Sequence, residues 1–449
     1  MRLLLAAIAL LLATLPAAAK GPLADYVAKD DGQFGWRVVR TFKAKDYTGH
    51  VLYLSSQEWR KGAEVDRILW RHWLLVIEPK QVESTTALLQ LGGGELDYKI
   101  PDSVDPYLVQ IANESKAVVA QLRQVPVQPL YFMQEDRLAP RVEDEILAYS
   151  FRRYLDGGDD EWPALLPMTK SAVRAMDALQ AWAREKRIPA KGLDRFVLTG
   201  HSKRGWTAYL AAAVDKRVAA IAPHVIDLLA MEQGIAAQPS VWGEYSPALK
   251  PYIDQGVLKA LGTPRGAQLA SIIDPNAYRE ALTMPKLIVH APSDEFWLPD
   301  STKYYLAKLP GKNHLRNIPN KGHNLDGWED ERALATFFRS IVSGTELPSV
   351  TTSWPTPTEV EVKPTAAPKQ VLLWRATNTL RQDFRLPALE NGRWESSVVS
   401  AGPDGAFRAT VPPPPKGFTA YYVEVVFPDP FGKDRDWSAT TEVRIVAAP

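Results

Sequence analysis

The chain has 449 residues, 46% of them apolar and 23% charged, enough for two or three domains with a substantial buried core. Its 53 basic and 52 acidic side chains leave a formal net charge of +1, which argues against nucleic acid or a polybasic membrane surface as the main partner. Cysteine is absent, so disulfides, a thiolate metal site and a thiol nucleophile are all excluded.

The first residues read MRLLLAAIALLLATLPAAAK. A lone Arg2 precedes an apolar run that ends in Ala17, Ala18 and Ala19, the layout of a secretory signal peptide over residues 1–19. The run is short for a membrane span and Pro16 interrupts it. The mature protein is therefore expected to be soluble, exported to the periplasm or the medium, and without stable membrane insertion.

From about residue 35 to 345, strand-like apolar runs alternate with helical stretches. The runs are His50–Ser55, Trp73–Ile77, Ala87–Leu91, Ala117–Leu122, Phe196–Thr199, Val218–Pro223 and Lys286–His290. Ala172, Met176, Leu179 and Ala183 recur at helical spacing before the Phe196 run. This alternation predicts an α/β domain over residues 20–345 with a mostly parallel sheet. Residues 228–284 break the rhythm and read as an insertion above the sheet. Residues 346–368 are proline-rich and read as a linker. Residues 369–449 hold short β runs between Pro, Gly and Asp, and predict a small β-sandwich.

One stretch carries chemistry. FVLTGHSKRGW (196–206) is a strand-like run that stops at Gly200, with Ser202 at the corner and a helix of small residues after it. In α/β-hydrolases a nucleophilic serine sits on such a strand-to-helix turn, flanked by small residues because the turn leaves no room for others. Here the second glycine is Gly205, one place later than usual, with Arg204 in its stead. A serine that merely caps a helix would have the same local look.

A serine nucleophile needs a base and an orienting acid, in the chain order Ser, Asp, His for this fold. Of the seven histidines, His323 lies in the loop NKGHNLDGW before the last helix of the domain, and is taken as base. His201 adjoins Ser202 and should project away from it. His50 and His72 lie in early strands, His224 and His290 end core strands, and His314 falls in a polar turn. Asp294, after the Lys286–His290 strand, is the acid of choice. Asp300 reads as a helix cap, and Asp227 is the alternative acid. The backbone N–H of Lys203 and the loop Gly92-Gly93-Gly94, with Gly93 foremost, are the candidate oxyanion donors. The side-chain cations of Lys203 and Arg204 offer further charge for an oxyanion or an acidic substrate group. Trp242 and Trp297 are the aromatic residues placed to line a substrate cleft, ahead of Trp162 and Trp328. Asp144 and Glu145 read as a solvated helix face.

The segment GHSKRGWTAYLAAAVDKRVAAIAPHVID resembles the G-x-S-K-R-G-W block of the PhoPQ-activated pathogenicity-related proteins. So do SQEWR (56–60), WRHWLLVIEP (70–79), QVPVQPLYF (124–132), RVEDEILAY (141–149), PKLIVHAPSDEFWLPDS (285–301), PNKGHN (319–324) and RQDFR (381–385). The resemblance implies an exported α/β-hydrolase-like protein with Ser202, Asp294 and His323 as triad. His201 and His224 stand where that family more often differs. The serine followed by a cation is also similar to the elbow of glucuronoyl esterases, a likeness confined to those residues that points towards carbohydrate esters.

There is no H-E-x-x-H, no phosphate-binding glycine loop and no G-x-G-x-x-G opening a helix, and histidines and carboxylates lack metal-ligand spacing. No cofactor and no metal are therefore expected. The expectation is a serine hydrolase acting on a small-molecule, sugar-ester or peptide substrate, esterase ahead of peptidase. A non-catalytic envelope or secreted binding protein on the same scaffold is the competing expectation.

Overall fold

The computed structural model describes residues 20–95, 99–135, 138–188, 192–325, 327, 329–433 and 435–449. The signal-peptide reading of residues 1–19 and the Trp328 reading fall outside them. Among the described residues, helix α1 (Pro22–Ala28) leads into an antiparallel meander of β1 (Gly35–Lys43), β2 (Tyr47–Glu58) and β3 (Leu69–Pro79). Then come β4 (Thr86–Leu91), α2 (Pro106–Ser115), β5 (Val119–Leu122), α3 (Asp144–Leu155), α4 (Leu165–Lys186), β6 (Arg195–His201), α5 (Lys203–Val214) and β7 (Val218–His224). A helical stretch of α6 (Met231–Trp242), α7 (Lys250–Asp254), α8 (Val257–Ala260) and α9 (Pro264–Ile273) follows. The domain closes with β8 (Lys286–His290), β9 (Asn313–Asn317) and α10 (Glu329–Ser343).

The nine strands make one sheet in the order β1-β2-β3-β5-β4-β6-β7-β8-β9, parallel from β5 onward. The predicted runs all fall on these strands, the Ala117–Leu122 run starting two residues ahead of β5. β1 and β9 went unread, and His314 belongs to β9 rather than to a turn. It is buried, with its ring edge-on to Trp437 at 5.5 Å. β5, β6, β7 and β8 are apolar on both faces, as expected for parallel strands sandwiched between helices.

The order β5-β4-β6 fixes where a site can form. From β4 the chain crosses to β5 on one side, and from β6 it proceeds to β7 on the other. Adjacent strands whose connections leave in opposite directions open a crevice at their carboxyl ends. Gly93 follows β4, and Ser202 follows β6. This is an α/β-hydrolase-like fold, and the stretch expected as an insertion, 228–284, carries the helices α6 to α9.

The C-terminal part differs from expectation at its start. Residues 346–368 are no linker: β10 (Val350–Thr356) and β11 (Glu359–Pro364) pair as a hairpin. Alternating Val360 and Val362 point inward and are buried, while Pro355 sits in β10, an edge strand where a missing N–H costs no ladder bond. β12 (Gln370–Asn378), β13 (Glu395–Val398), β14 (Phe407–Thr410), β15 (Phe418–Phe427), β16 (Trp437–Thr440) and β17 (Arg444–Ala447) complete two sheets, β10-β11-β14 and β13-β12-β15-β16 with β17 also on β15. Their facing side chains, among them Val360, Leu373, Tyr421 and Val425, belong to one apolar cluster that also includes Leu88, Val197, Val289 and Phe337 of the large domain. The free edge at β9 is covered from this side. The Asn317 N–H donates to Thr440 Oγ1 (3.0 Å), the Asn317 amide nitrogen to Thr441 O (3.0 Å), and Arg316 pairs with Glu424.

Candidate active site

α5 lies so close to β6 that side chains are excluded between them. A Cβ on Gly200 would lie 2.7 Å from the Cβ of Arg204, and one on Gly205 would lie 2.8 Å from both Gly200 O and Ile226 Cγ2. The displaced glycine of the motif is thereby explained: position 205, not 204, faces the strand. Between these contacts the backbone reverses at Ser202 with φ 55° and ψ −128°, a conformation that costs a non-glycine residue of order 1–3 kcal/mol. Ser202 occupies the N-cap position of α5 without a side-chain capping bond, so the cap reading does not hold. Its own N–H donates to His224 O (2.9 Å), and its side chain is left to the cleft.

That cleft is lined by Gly93, Glu143, His201, Ser202, Phe296 and His323 among others. His323 Nδ1 lies 2.8 Å from Asp294 Oδ2 and 3.0 Å from Oδ1. Burial pushes the Asp294 carboxyl upward, against the pull of His323. The His323 loop is held from below, its backbone N–H donating to Glu295 Oε2 (2.7 Å). At Gly322 a Cβ would meet Glu295 Oε1 at 2.5 Å and displace the carboxylate that holds the loop. The Phe296 ring packs on the imidazole at 4.2 Å. Ser202 and His323 face the same cleft without a direct hydrogen bond between their side chains, among the bonds of the described residues. Asp227 is not the partner of His323. It is buried, its carboxyl pushed up to about 8, and it accepts the Tyr305 hydroxyl at 2.7 Å. Asp300 pairs with Lys303 (2.7 Å).

The two cations after the serine are not free. Arg204 donates from Nη1 to Glu143 Oε2 (2.6 Å) and from Nη2 to Glu143 Oε1 (2.5 Å), and its Nε donates to Val125 O (2.6 Å). Lys203 Nζ bonds Glu143 Oε2 (2.8 Å) and lies 3.3 Å from Asp144 Oδ2. Two carboxylates thus meet two cations, and the expectation of Arg204 or the Lys203 ammonium as a free anion-binding charge is corrected. Arg204 instead props the glycine loop: a Cβ on Gly93 would lie 2.4 Å from its Nη2. Burial raises the Glu143 carboxyl, but Arg204 and Lys203 outweigh it and hold it down at about 2. Reading the sequence missed Glu143, whose only signal was its place in the block RVEDEILAY. It also misread Asp144, which is no solvated residue: it accepts the Tyr252 hydroxyl (2.9 Å) and lines a pocket.

That pocket adjoins the cleft, between Ser202 and the helical insertion. Its walls are apolar, from Ile226, Leu228, Met231, Ile235 and Tyr252, with Trp297 at the side. Trp297 also donates to Val225 O (3.2 Å). Trp242, by contrast, is a correction: it is 2% exposed, donates to Gln382 O (3.2 Å), and lies under the Arg385 guanidinium at 4.6 Å. It packs against the β domain and offers nothing to a ligand. Trp162 is likewise buried.

The same β-domain loop reaches the loops of Asp294 and His323 through Trp394. Its indole N–H donates to Ser293 Oγ (2.9 Å), next to Asp294. Its backbone N–H donates to Asn320 Oδ1 (2.7 Å), and its carbonyl accepts from Asn320 Nδ2 (3.1 Å), three residues before His323. Against the expectation from spacing, His201, His224 and Asp330 also converge, beside the elbow.

The sequence model of the family described as PhoPQ-activated pathogenicity-related protein matches residues 23–385. The chain is 33% identical over 445 residues, 94% of this chain and 88% of the relative, to the autocrine proliferation repressor protein A of Dictyostelium discoideum. Among solved structures it is similar to acetyl xylan esterase 1 from a Thermoanaerobacterium species (15% identity, 72% of this chain and 92% of that one, TM-score 0.46). It is also similar to a glucuronoyl esterase from Solibacter usitatus (14%, 71% and 91%, TM-score 0.44). Among the described residues no helix is long and apolar enough to cross a membrane.

Two outcomes are expected. Glu143 has its carboxyl held below the ordinary 4.5, so it contributes stability that is full above about pH 4.5 and lost as pH falls towards 2. In urea denaturation, Glu143→Gln should be less stable than the parent at pH 7, and the difference should close on acidification. Trp394→Phe, which removes the indole N–H together with part of the buried ring volume, should cost about 1–3 kcal/mol in the same assay. Trp394→Ala should cost about 3–5 kcal/mol.

Proposed function

We propose that this chain, which belongs to the PhoPQ-activated pathogenicity-related protein family, is an exported serine hydrolase of ester bonds, with amide bonds as the second choice. The observation that carries the reading is Ser202 on a strained turn at the carboxyl end of β6, sharing one cleft with a histidine already anchored to a buried aspartate.

In this reading Ser202 Oγ attacks the carbonyl carbon of the substrate. His323 Nε2 takes the serine proton and returns it to the leaving group. Asp294 holds the other ring nitrogen, which sets the tautomer and stabilises the imidazolium. The first N–H groups of a helix have no partner within it, so the Lys203 amide at the start of α5 is the first oxyanion donor. Gly92 gives its own N–H to Leu122 O (2.7 Å), which leaves the Gly93 amide as the second donor. A rate factor of roughly 10²–10³ attaches to one such donor. Water then repeats the attack on the acyl-enzyme.

The apolar pocket beside Ser202 supports a substrate with an apolar acyl or leaving group, seated under the helical insertion, which acts as a cap and sets specificity. Trp297 contributes to that wall. Because Lys203 and Arg204 are matched by Glu143 and Asp144, a neutral substrate suits the cleft better than an acidic one, and the glucuronic ester reading loses its main support.

A non-catalytic binding protein on this scaffold is the second reading. It is favoured by the lack of a hydrogen bond between Ser202 and His323, although such contacts often form only in the substrate complex. Similarity to a protein named as a proliferation repressor also suits it.

A panel of aryl esters of rising acyl length beside aminoacyl amides separates the two. A hydrolase should turn over the longer esters, with kcat reduced at least about 10³-fold in Ser202→Ala and in Asp294→Asn. Equal background rates in parent and variants on every substrate would leave the binding reading standing.

A further inference from the structure

Among the described residues, a buried histidine with poor hydrogen bonding lies beside the elbow. His224 ends β7 and is 1% exposed, yet neither ring nitrogen has a hydrogen-bond partner. Leaving a buried polar group unmet is costly, and the mechanism above makes no use of this residue.

The neighbours of His224 are placed by the sheet. His201 at the end of β6 is its register partner in the parallel pair, so both side chains leave the sheet on the same side, their rings 4.6 Å apart. Asp330 arrives from the first turn of α10. Its Oδ2 lies 3.0 Å from His201 Nε2 and 3.3 Å from His224 Nδ1. The His201 contact is a hydrogen bond; the His224 contact is a longer ion pair without good hydrogen-bond geometry. One ligand atom from each of the three residues falls within 4.8 Å of the others. Around a tetrahedral ion with bonds of 2.0–2.1 Å, donor atoms stand roughly 3.3 Å apart. Asp330 Oδ2 alone meets both rings and leaves His224 with only a long contact, whereas an ion at the common centre would use all three groups. Glu331, the next residue, has a buried Oε2 without a partner as well, so the surroundings are short of positive charge.

We propose that His201, His224 and Asp330 form a binding site for one divalent transition-metal ion of the zinc class. Two imidazole nitrogens and one carboxylate oxygen are borderline donors that suit zinc, cobalt or nickel better than magnesium or calcium, which prefer all-oxygen shells. His201 supplies the way in. Its side chain is 44% exposed and faces the cleft, and water from there completes the fourth position. The ion ties the residue before Ser202 to the helix that follows the His323 loop, and so braces the two halves of the cleft. This site stands independently of whether Ser202 is a nucleophile.

The test uses the full chain without a histidine tag, stripped with a chelator and titrated with Zn²⁺ by calorimetry and with Co²⁺ by visible absorption. The expected result is about one ion per chain, the absorption of tetrahedral Co²⁺, and a higher Tm with Zn²⁺. His201→Ala removes a partly exposed ring and leaves the core intact. Together with Asp330→Asn it should weaken binding at least about tenfold, since even an outer partner of a metal ligand costs roughly 10–100-fold. No binding by the parent, or equal binding by the parent and both variants, would overturn the proposal.

Discussion

The close approach of α5 to β6 governs the molecule. Only glycine fits at 200 and at 205, so the chain has no gentle way from strand to helix, and Ser202 takes up the reversal at φ 55°. From that one turn follow the exposure of its oxygen at the end of the central strand and the position of the first helical N–H behind it. The neighbouring β4 loop follows too, set at the switch point of the sheet. Strain of this kind persists only where the surroundings over-determine it. Here the constraint is steric on one side and electrostatic on the other, where Arg204 is fastened to Glu143 and Val125 O.

Charge balance then decides what the cleft selects. Lys203 and Arg204 look in the sequence like a landing site for an anion. In the fold they are side chains with 7% and 11% exposure, facing Glu143 and Asp144. Their energy goes into holding α3, the glycine loop and α5 together. In the proposed hydrolase, recognition is then left to shape and to the apolar wall under the insertion. The β domain enters the same arrangement from outside, since Trp394 ties the loops of Asp294 and His323, and Trp242 ties the insertion.

Legibility in the sequence followed range. Features with a local cause were readable: the buried-type strands from their apolar runs, the strand-to-helix turn from Gly200-x-Ser202, and the candidates Asp294, after the Lys286–His290 strand, and His323, in a glycine loop before the last helix, which the fold brings together. Features made by long-range pairing were not. Glu143 meets its cations some sixty residues away, and nothing in its own neighbourhood announces that. His201, His224 and Asp330 lack metal-ligand spacing in the chain and come together only through strand register and the first turn of α10. Trp242 could be seen as an aromatic residue of the insertion, but the β-domain loop that buries it lies about 140 residues on. Residues 350–364 were read as a linker because their prolines hid the alternating valines of β11, a strand whose neighbour β10 tolerates proline at the sheet edge.

The central claim is that the strained serine is an activated nucleophile. Fluorophosphonate labelling of the mature protein, parent beside Ser202→Ala and read by intact mass, tests it most directly, because the probe reports reactivity without knowledge of the substrate. The account predicts one adduct on the parent and none on the variant. No adduct on either, or the same adduct on both, would contradict it.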